Sequence, residues 1–585
     1  MAKTTANTLG GPDIFILSGA HLLYLRLLPA PFLAEKDYSS MQRDRRRFLS
    51  QGSGLGMALA FPLLGNAATS SDPLQQRRAV TIEAPCGPIR GAAENGVNSF
   101  KGIPYAMPPV GPLRFKAPQP APRTRTVINA FSFANAPIQP DRIQAGTGRR
   151  FIGDVNQSED CLYLNIWTPD TPGPHPVFVW IYGGSNIYGA TSQPLYDGTS
   201  FARSGVVCVT IGYRLGALGF LELGAILGDA YNGSGNNALR DQVLALTWVR
   251  DNISAFGGDH DKVTIAGESA GGKNLSALLA APAAKGLFQQ AIVQSGGALT
   301  THTQKDAQEV AGIFASALQQ QAPGTPVAQL LLNTDAAALL KAQVKTVEQY
   351  QRNFAFRTVI DRDFMPRSPQ ALIADGASSD VPLLIGSNRD EALLFFPPAL
   401  LAAHRQNTYS AAAISSREMA QIDPATMQQA DDLYQKAFPS QSAFDRRLRL
   451  LTAEEYWIPT IRVADAHAAN GGKTYLYRFD ESARQGPFSG YAVHAGEQPF
   501  TWRNFGEPFL EMLYGRNPPT PAFADVVHQT WVSFIKTGTP SHPQLPTWPR
   551  YSPQGRRTMI LDGAGSTIQT DPAGQERELW NRVMP

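Results

Sequence analysis

Cysteine is scarce in this chain: Cys86, Cys161 and Cys208 are the only three among 585 residues, which excludes a disulfide-stapled scaffold. Charge of one sign is equally scarce. Lys and Arg number 51 against 48 Asp and Glu, and the resulting +3 is too small an excess for a nucleic-acid binder that works by neutralising phosphates. Long apolar runs are missing too, since a membrane-spanning helix needs about 20 such residues. The run Gly52–Leu64 falls short of that, and Ile14–Leu33 is interrupted by His21 and Arg26, so no stable membrane anchor is expected. There is no internal repeat, no His/Cys/Asp cluster at metal-ligand spacing and no Gly-rich loop followed by Lys and Ser or Thr. The sequence therefore implies neither a metal nor an organic cofactor. What is present, 43% hydrophobic and 17% charged residues, is enough for a large core.

The amino end reads as an address. Residues 41–68, MQRDRRRFLSQGSGLGMALAFPLLGNAA, place adjacent arginines before Phe48 and Leu49, then an apolar Gly/Ala-rich run that ends in small residues suited to a peptidase. This resembles a twin-arginine export signal, with cleavage near Ala67 or Ala68 and a periplasmic or secreted destination. Translation is expected to start at Met41; the alternative is that residues 1–40 are a true extension. Residues 1–67 carry seven basic and four acidic side chains, so the charge excess belongs to the leader and the mature chain is near neutrality.

Residues 80–585 read as one catalytic domain. The runs Val177–Tyr182, Val206–Tyr213, Val263–Ala266, Ala291–Gln294 and Leu383–Gly386 predict strands, alternating with helices such as Leu239–Ile253 and Asn274–Ala280. That alternation predicts an α/β fold: a central, mostly parallel sheet flanked by helices. Ala307–Val347 and Ala411–Ala437 are expected to be helical cap insertions over the carboxyl edge of the sheet, where such folds place their ligands.

One strand, Val263-Thr264-Ile265-Ala266, runs directly into Gly267-Glu268-Ser269-Ala270-Gly271 and then a helix. Strand, sharp turn and helix are the context that makes Gly-x-Ser-x-Gly a nucleophile elbow. Phe256-Gly257-Gly258 lies just upstream, Glu159-Asp160-Cys161-Leu162-Tyr163-Leu164-Asn165-Ile166 forms a second motif, and FKGIPYAMPPVGPLRF at 100–115 and GYRLGALGF at 212–220 extend the pattern. With these motifs the chain resembles the type-B carboxylesterase family, which includes cholinesterases and bacterial p-nitrobenzyl esterases. The resemblance covers nearly all of 80–580 and implies the α/β-hydrolase fold.

A serine hydroxyl becomes a nucleophile only when a base takes its proton and a third group holds that base, and in this fold the order is serine, acid, histidine. After Ser269, the segment Gly386-Ser387-Asn388-Arg389-Asp390-Glu391 resembles the family's acid segment and makes Glu391 the candidate, with Asp390 as local rival. Among the later histidines, His467 and His528 lie in helical stretches, His542 in a Pro-rich loop, and His404 close behind the acid. His494, in YAVHAGEQPF, resembles the family's histidine loop and is the candidate base. Tyr182-Gly183-Gly184-Ser185 resembles the glycine-rich oxyanion loop, with Ser185 in place of the usual glycine or alanine. Gly184, Ser185 and Ala270 are the candidate backbone donors. Ser295 matches a family serine near the triad; with Glu268 it is expected to support the catalytic residues.

Several positions depart from the family pattern. The stretch Ala136-Pro137-Ile138-Gln139 lacks the cysteine that usually bonds the one at Cys161, so a buried free thiol is expected there. Arg114 and Glu159 match a structural ion pair. Phe151 falls where cholinesterases place the tryptophan that cradles choline, and reads either as a weaker cation-holding ring or as an apolar lining residue. Lys273 is a cation near a helix amino end, opposed by the helix dipole; it either meets an anionic substrate group or pairs with a carboxylate.

These features together predict a serine hydrolase of carboxylic esters that works through an acyl-enzyme, as a monomer or homodimer, on a small-molecule substrate. The same triad would also cleave carbamate, thioester, lactone or activated amide bonds. A non-catalytic relative would have lost the serine, which this chain keeps.

Overall fold

The centre of the sheet forms where the sequence is apolar without alternation. In the computed structural model, residues 78–142, 150–350, 352, 354–396, 401, 422–506, 511, 513–514 and 521–584 are described. The expected leader 41–68, the stretch 1–40, His404 and residues 411–421 lie outside the described residues.

Thirteen strands make one sheet. They are β1 (Arg78–Ala84), β2 (Gly87–Glu94), β3 (Val97–Pro104), β4 (Ile128–Asn129), β5 (Tyr163–Pro169), β6 (His175–Ile181), β7 (Val207–Ile211), β8 (Gly258–Glu268), β9 (Gln290–Gln294), and, after a separate parallel pair β10 (Thr301–His302) and β11 (Thr358–Val359), β12 (Leu383–Asn388), β13 (Thr474–Phe479), β14 (Arg557–Leu561) and β15 (Thr567–Thr570). The spatial order is β1-β2-β3-β5-β7-β6-β8-β9-β12-β13-β14-β15, with β4 beside β2.

From β7 to β14 every neighbouring pair is parallel. Helices cover both faces of such strands, so Val177, Phe178, Val179, Trp180 and Ile181 are all fully buried. Each of these side chains contributes about 2 kcal/mol of apolar burial. All five predicted strands fall in this parallel block. The antiparallel flank β1, β2, β3 and β5 and the closing pair β14–β15 carry weaker patterns; β1, for example, is exposed or half-buried throughout.

The helix expected over 239–253 spans Asn237–Asn252, and that expected from 274 starts at Ala270. Ala307–Val347 is three helices, Gln304–Gln319, Val327–Asn333 and Ala336–Gln349. The first break falls at Gly324, whose φ is +83°, and Pro326. Of the second expected cap segment, Pro424–Ala437 is helical, with Asp423 accepting from the amides of Ala425 and Thr426 at its start.

Candidate active site

Strand β8 ends at Glu268 and the helix Ala270–Ala280 begins two residues later, so Ser269 alone makes the turn. Its backbone sits at φ 56°, ψ −124°, a conformation that costs a non-glycine residue about 1–3 kcal/mol. The neighbours hold it there: its N–H donates to Gln294 O at 3.0 Å, and its carbonyl accepts from the Lys273 N–H at 2.9 Å. The flanking glycines are a steric necessity. A Cβ on Gly271 would lie 2.1 Å from Ile181 O, and one on Gly267 would lie 2.6 Å from the Gly271 carbonyl carbon.

The expected acid and base come from the next strands along the same carboxyl edge. Glu391 opens the turn after β12, and His494 lies in the loop after β13. His494 Nδ1 hydrogen-bonds Glu391 Oε2 at 2.5 Å. The other carboxylate oxygen accepts from Ser295 Oγ at 2.5 Å and from the Asn388 N–H at 2.6 Å. Ser295 thus hydrogen-bonds the carboxylate that holds His494. Asp390 points elsewhere, pairing with Arg389 Nε at 2.9 Å and accepting from the Ala492 N–H at 2.9 Å.

The far side of the imidazole differs from the simplest expectation. Nε2 lies 3.1 Å from Glu268 Oε1, while Ser269 Oγ makes no hydrogen bond among the described residues. Two carboxylates therefore bracket one ring. Burial alone would lower the His494 pKa, but Glu268 and Glu391 outweigh it and push the imidazole up to about 9. Burial raises the Glu268 carboxyl to about 8, with His494 opposing and Glu497 and Glu391 reinforcing.

The sequence reading assigned no role to Glu497. Fully buried, it accepts from Asn388 Nδ2 at 2.7 Å and Gln294 Nε2 at 2.9 Å, and so ties the histidine loop to β9 and β12. Its only signal in the sequence is its place three residues after His494. Tyr456 and Phe395 face the imidazole with centroids 4.7 and 5.2 Å away.

The candidate oxyanion donors come from two elements. Gly184 (φ 115°) and Ser185 (φ 56°) follow β6, and Ala270 opens the helix after Ser269. None of these three backbone N–H groups donates to an acceptor among the described residues.

Lys273 pairs with the buried Glu455, with its Nζ 3.9 Å from the Phe354 ring centroid and 5.3 Å from that of Tyr456. Of the two readings given for Lys273, this contact is the pairing with a carboxylate. Glu455 comes from a π-helical turn, Ala453–Trp457, 182 residues along the chain. Phe151 packs with Val155 on a small cluster of Ala136, Ile152 and Ala190. Arg114 and Glu159 form a two-pronged ion pair at 2.6 and 2.8 Å, and all three cysteines are free thiols.

Among the described residues, three acidic or imidazole groups within metal-binding reach of one another occur only at Asp259, His260 and Asp261, on the exposed part of β8. A serine at a strained strand-to-helix turn, with a carboxylate-held histidine and free backbone donors beside it, defines a serine hydrolase of the α/β-hydrolase fold. The chain belongs to the carboxylesterase family, which matches residues 78–580. It is 39% identical over 501 residues to a para-nitrobenzyl esterase of Bacillus subtilis (strain 168), covering 84% of this chain and 96% of that protein. It is 32% identical over 514 residues to carboxylesterase 1C of Rattus norvegicus, covering 83% and 89%. A solved carboxylesterase structure from Geobacillus stearothermophilus superposes with a TM-score of 0.73 at 36% identity, covering 86% of this chain and 99% of that one. The protein is a carboxylic ester hydrolase.

Proposed function

We propose that Ser269, His494 and Glu391 are the catalytic triad of this esterase and that Gly184, Ser185 and Ala270 form its oxyanion hole. His494 Nε2 turns from Glu268 to Ser269 Oγ as substrate binds, a tightening common when catalytic groups meet their substrate. It takes the hydroxyl proton while Oγ bonds the ester carbonyl carbon. The developing oxyanion is met by the three backbone N–H groups. His494 then hands its proton to the departing alcohol, leaving an acyl group on Ser269, and water deprotonated by the same ring releases the acid. Glu391 holds the ring and offsets the charge it acquires.

The observation that carries this reading is the 2.5 Å bond between His494 Nδ1 and Glu391 Oε2, which keeps a proton on Nδ1 and leaves Nε2, once it has turned from Glu268 and lost its proton, as the nitrogen that takes the serine proton. The reading is tested with p-nitrophenyl esters of short and medium acyl chains: hydrolysis is expected from the wild type and lost in Ser269→Ala. Unchanged hydrolysis by that variant overturns it.

The working enzyme is exported, to the periplasm or beyond, as a monomer or homodimer with no membrane anchor and no nucleic-acid partner. Residues 41–68 support export. The intact mass of the mature protein is expected to begin just after Ala67 or Ala68, and a mass beginning at Met1 contradicts it. Size-exclusion chromatography reads the oligomeric state.

A further inference from the structure

Asn186, next to the Ser185 donor, is tied in three directions. Its Nδ2 donates to Phe356 O at 3.0 Å, its Oδ1 accepts from Asn274 Nδ2 at 3.0 Å, and its backbone carbonyl accepts from the Gly216 N–H at 2.6 Å. Both amide side chains are buried, Asn186 at 6% and Asn274 at 1% exposure. Ser185 and Asn186 are consecutive non-glycine residues in the left-handed region, at φ 56° and 59°, so the loop needs outside support to keep its course. Its upstream end has support already: Tyr213 Oη donates to Tyr182 O at 2.6 Å, and the two rings stack at 4.5 Å.

The two halves of the oxyanion hole sit on separate elements. Gly184 and Ser185 belong to the loop after β6, whereas Ala270 belongs to the helix that also carries Asn274. The Asn274–Asn186 bond is a direct side-chain link between them, made where a lost partner is costly because water does not replace it. Three donors stabilise one oxygen only if they point at one place.

We propose that Asn186 and Asn274 are positioning residues that set the register of the oxyanion loop against the nucleophile helix. The proposal rests on the reading of Ser269 and its donors given above. Neither side chain touches the substrate. Their effect is on the transition state, where the oxyanion exists, more than on substrate binding.

The test compares Asn274→Leu, which removes the donor at similar size, with Asn186→Gly, which removes the acceptor and suits the positive φ, and with the double variant. Each is assayed for kcat and KM on a p-nitrophenyl ester, for inhibition by a trifluoromethyl ketone, whose serine adduct carries an oxyanion, and for Tm. Each single variant is expected to lose about tenfold in kcat and about tenfold in ketone affinity, with KM changed less than about threefold. The double variant is expected to match the singles, because all remove the same link. Unchanged kcat and ketone affinity alongside a lowered Tm would make the pair a packing feature and overturn the proposal, as would multiplying losses in the double variant. Asn186→Gly decides the matter if Asn274→Leu fails to fold. Hydrolysis surviving in Ser269→Ala is a separate result and strikes the triad assignment instead.

Discussion

The two halves of the proposed site, one to handle the proton and one to hold the oxyanion, are made of different materials. The proton-handling half is buried charge: one imidazole bracketed by Glu268 and Glu391, with Glu497 behind them. The oxyanion half has uncharged backbone N–H groups held by left-handed turns at Gly184 and Ser185. The first is set by electrostatics and must respond to pH. The second is set by steric fit and must not.

Glu391→Gln should have the largest effect. It keeps the shape but removes the acceptor that fixes the tautomer, and a loss of about 10⁴-fold in kcat is expected from ester hydrolysis assays. Gly184→Ala attacks the other half, because its new Cβ would lie 2.4 Å from Tyr188 O at a φ of 115°. A loss of about 100-fold in kcat is expected, with the pH midpoint where the wild type has it. A displaced midpoint would break the division between the halves.

Glu268→Gln sharpens it. The base works only when neutral, and both His494, at about 9, and Glu268, at about 8, retain protons above their usual range. Wild-type kcat/KM should therefore rise with pH through an ionisation of the coupled pair above the ordinary imidazole value. Removing the Glu268 charge lowers the His494 pKa, so the rising limb should move to lower pH. A limb that stays in place would show that Glu268 does not hold the ring. Lys273→Met should affect activity least. It removes the Lys273 partner of the buried Glu455 and should destabilise the fold by about 3 kcal/mol in denaturant titrations. The ratio of kcat/KM for anionic and neutral esters should change less than about twofold; a collapse on anionic esters alone would place Lys273 against an anionic substrate group.

The elbow was legible in the sequence because its constraint is local: two glycines and a serine between a strand and a helix. The parallel strands were legible because burial on both faces removes alternation. The outer antiparallel strand β1, exposed or half-buried throughout, lacked that mark. Long-range partners could not be read at all. Nothing near Lys273 announces Glu455, and nothing near Asn186 announces Asn274 or Phe356, because those partners lie 182, 88 and 170 residues away along the chain. The contact of His494 with Glu268 was hidden for another reason: the motif supplied a glutamate beside the serine but not the direction of its side chain.

The central claim is that the ester's acyl group passes through Ser269. Mixing the enzyme with a p-nitrophenyl ester, quenching in acid within the first turnover and mapping the peptides by mass reads this directly. The account predicts the acyl mass on the peptide containing Ser269 and its absence in Ser269→Ala. An acyl group on another residue, or full hydrolysis with none on Ser269, would contradict it.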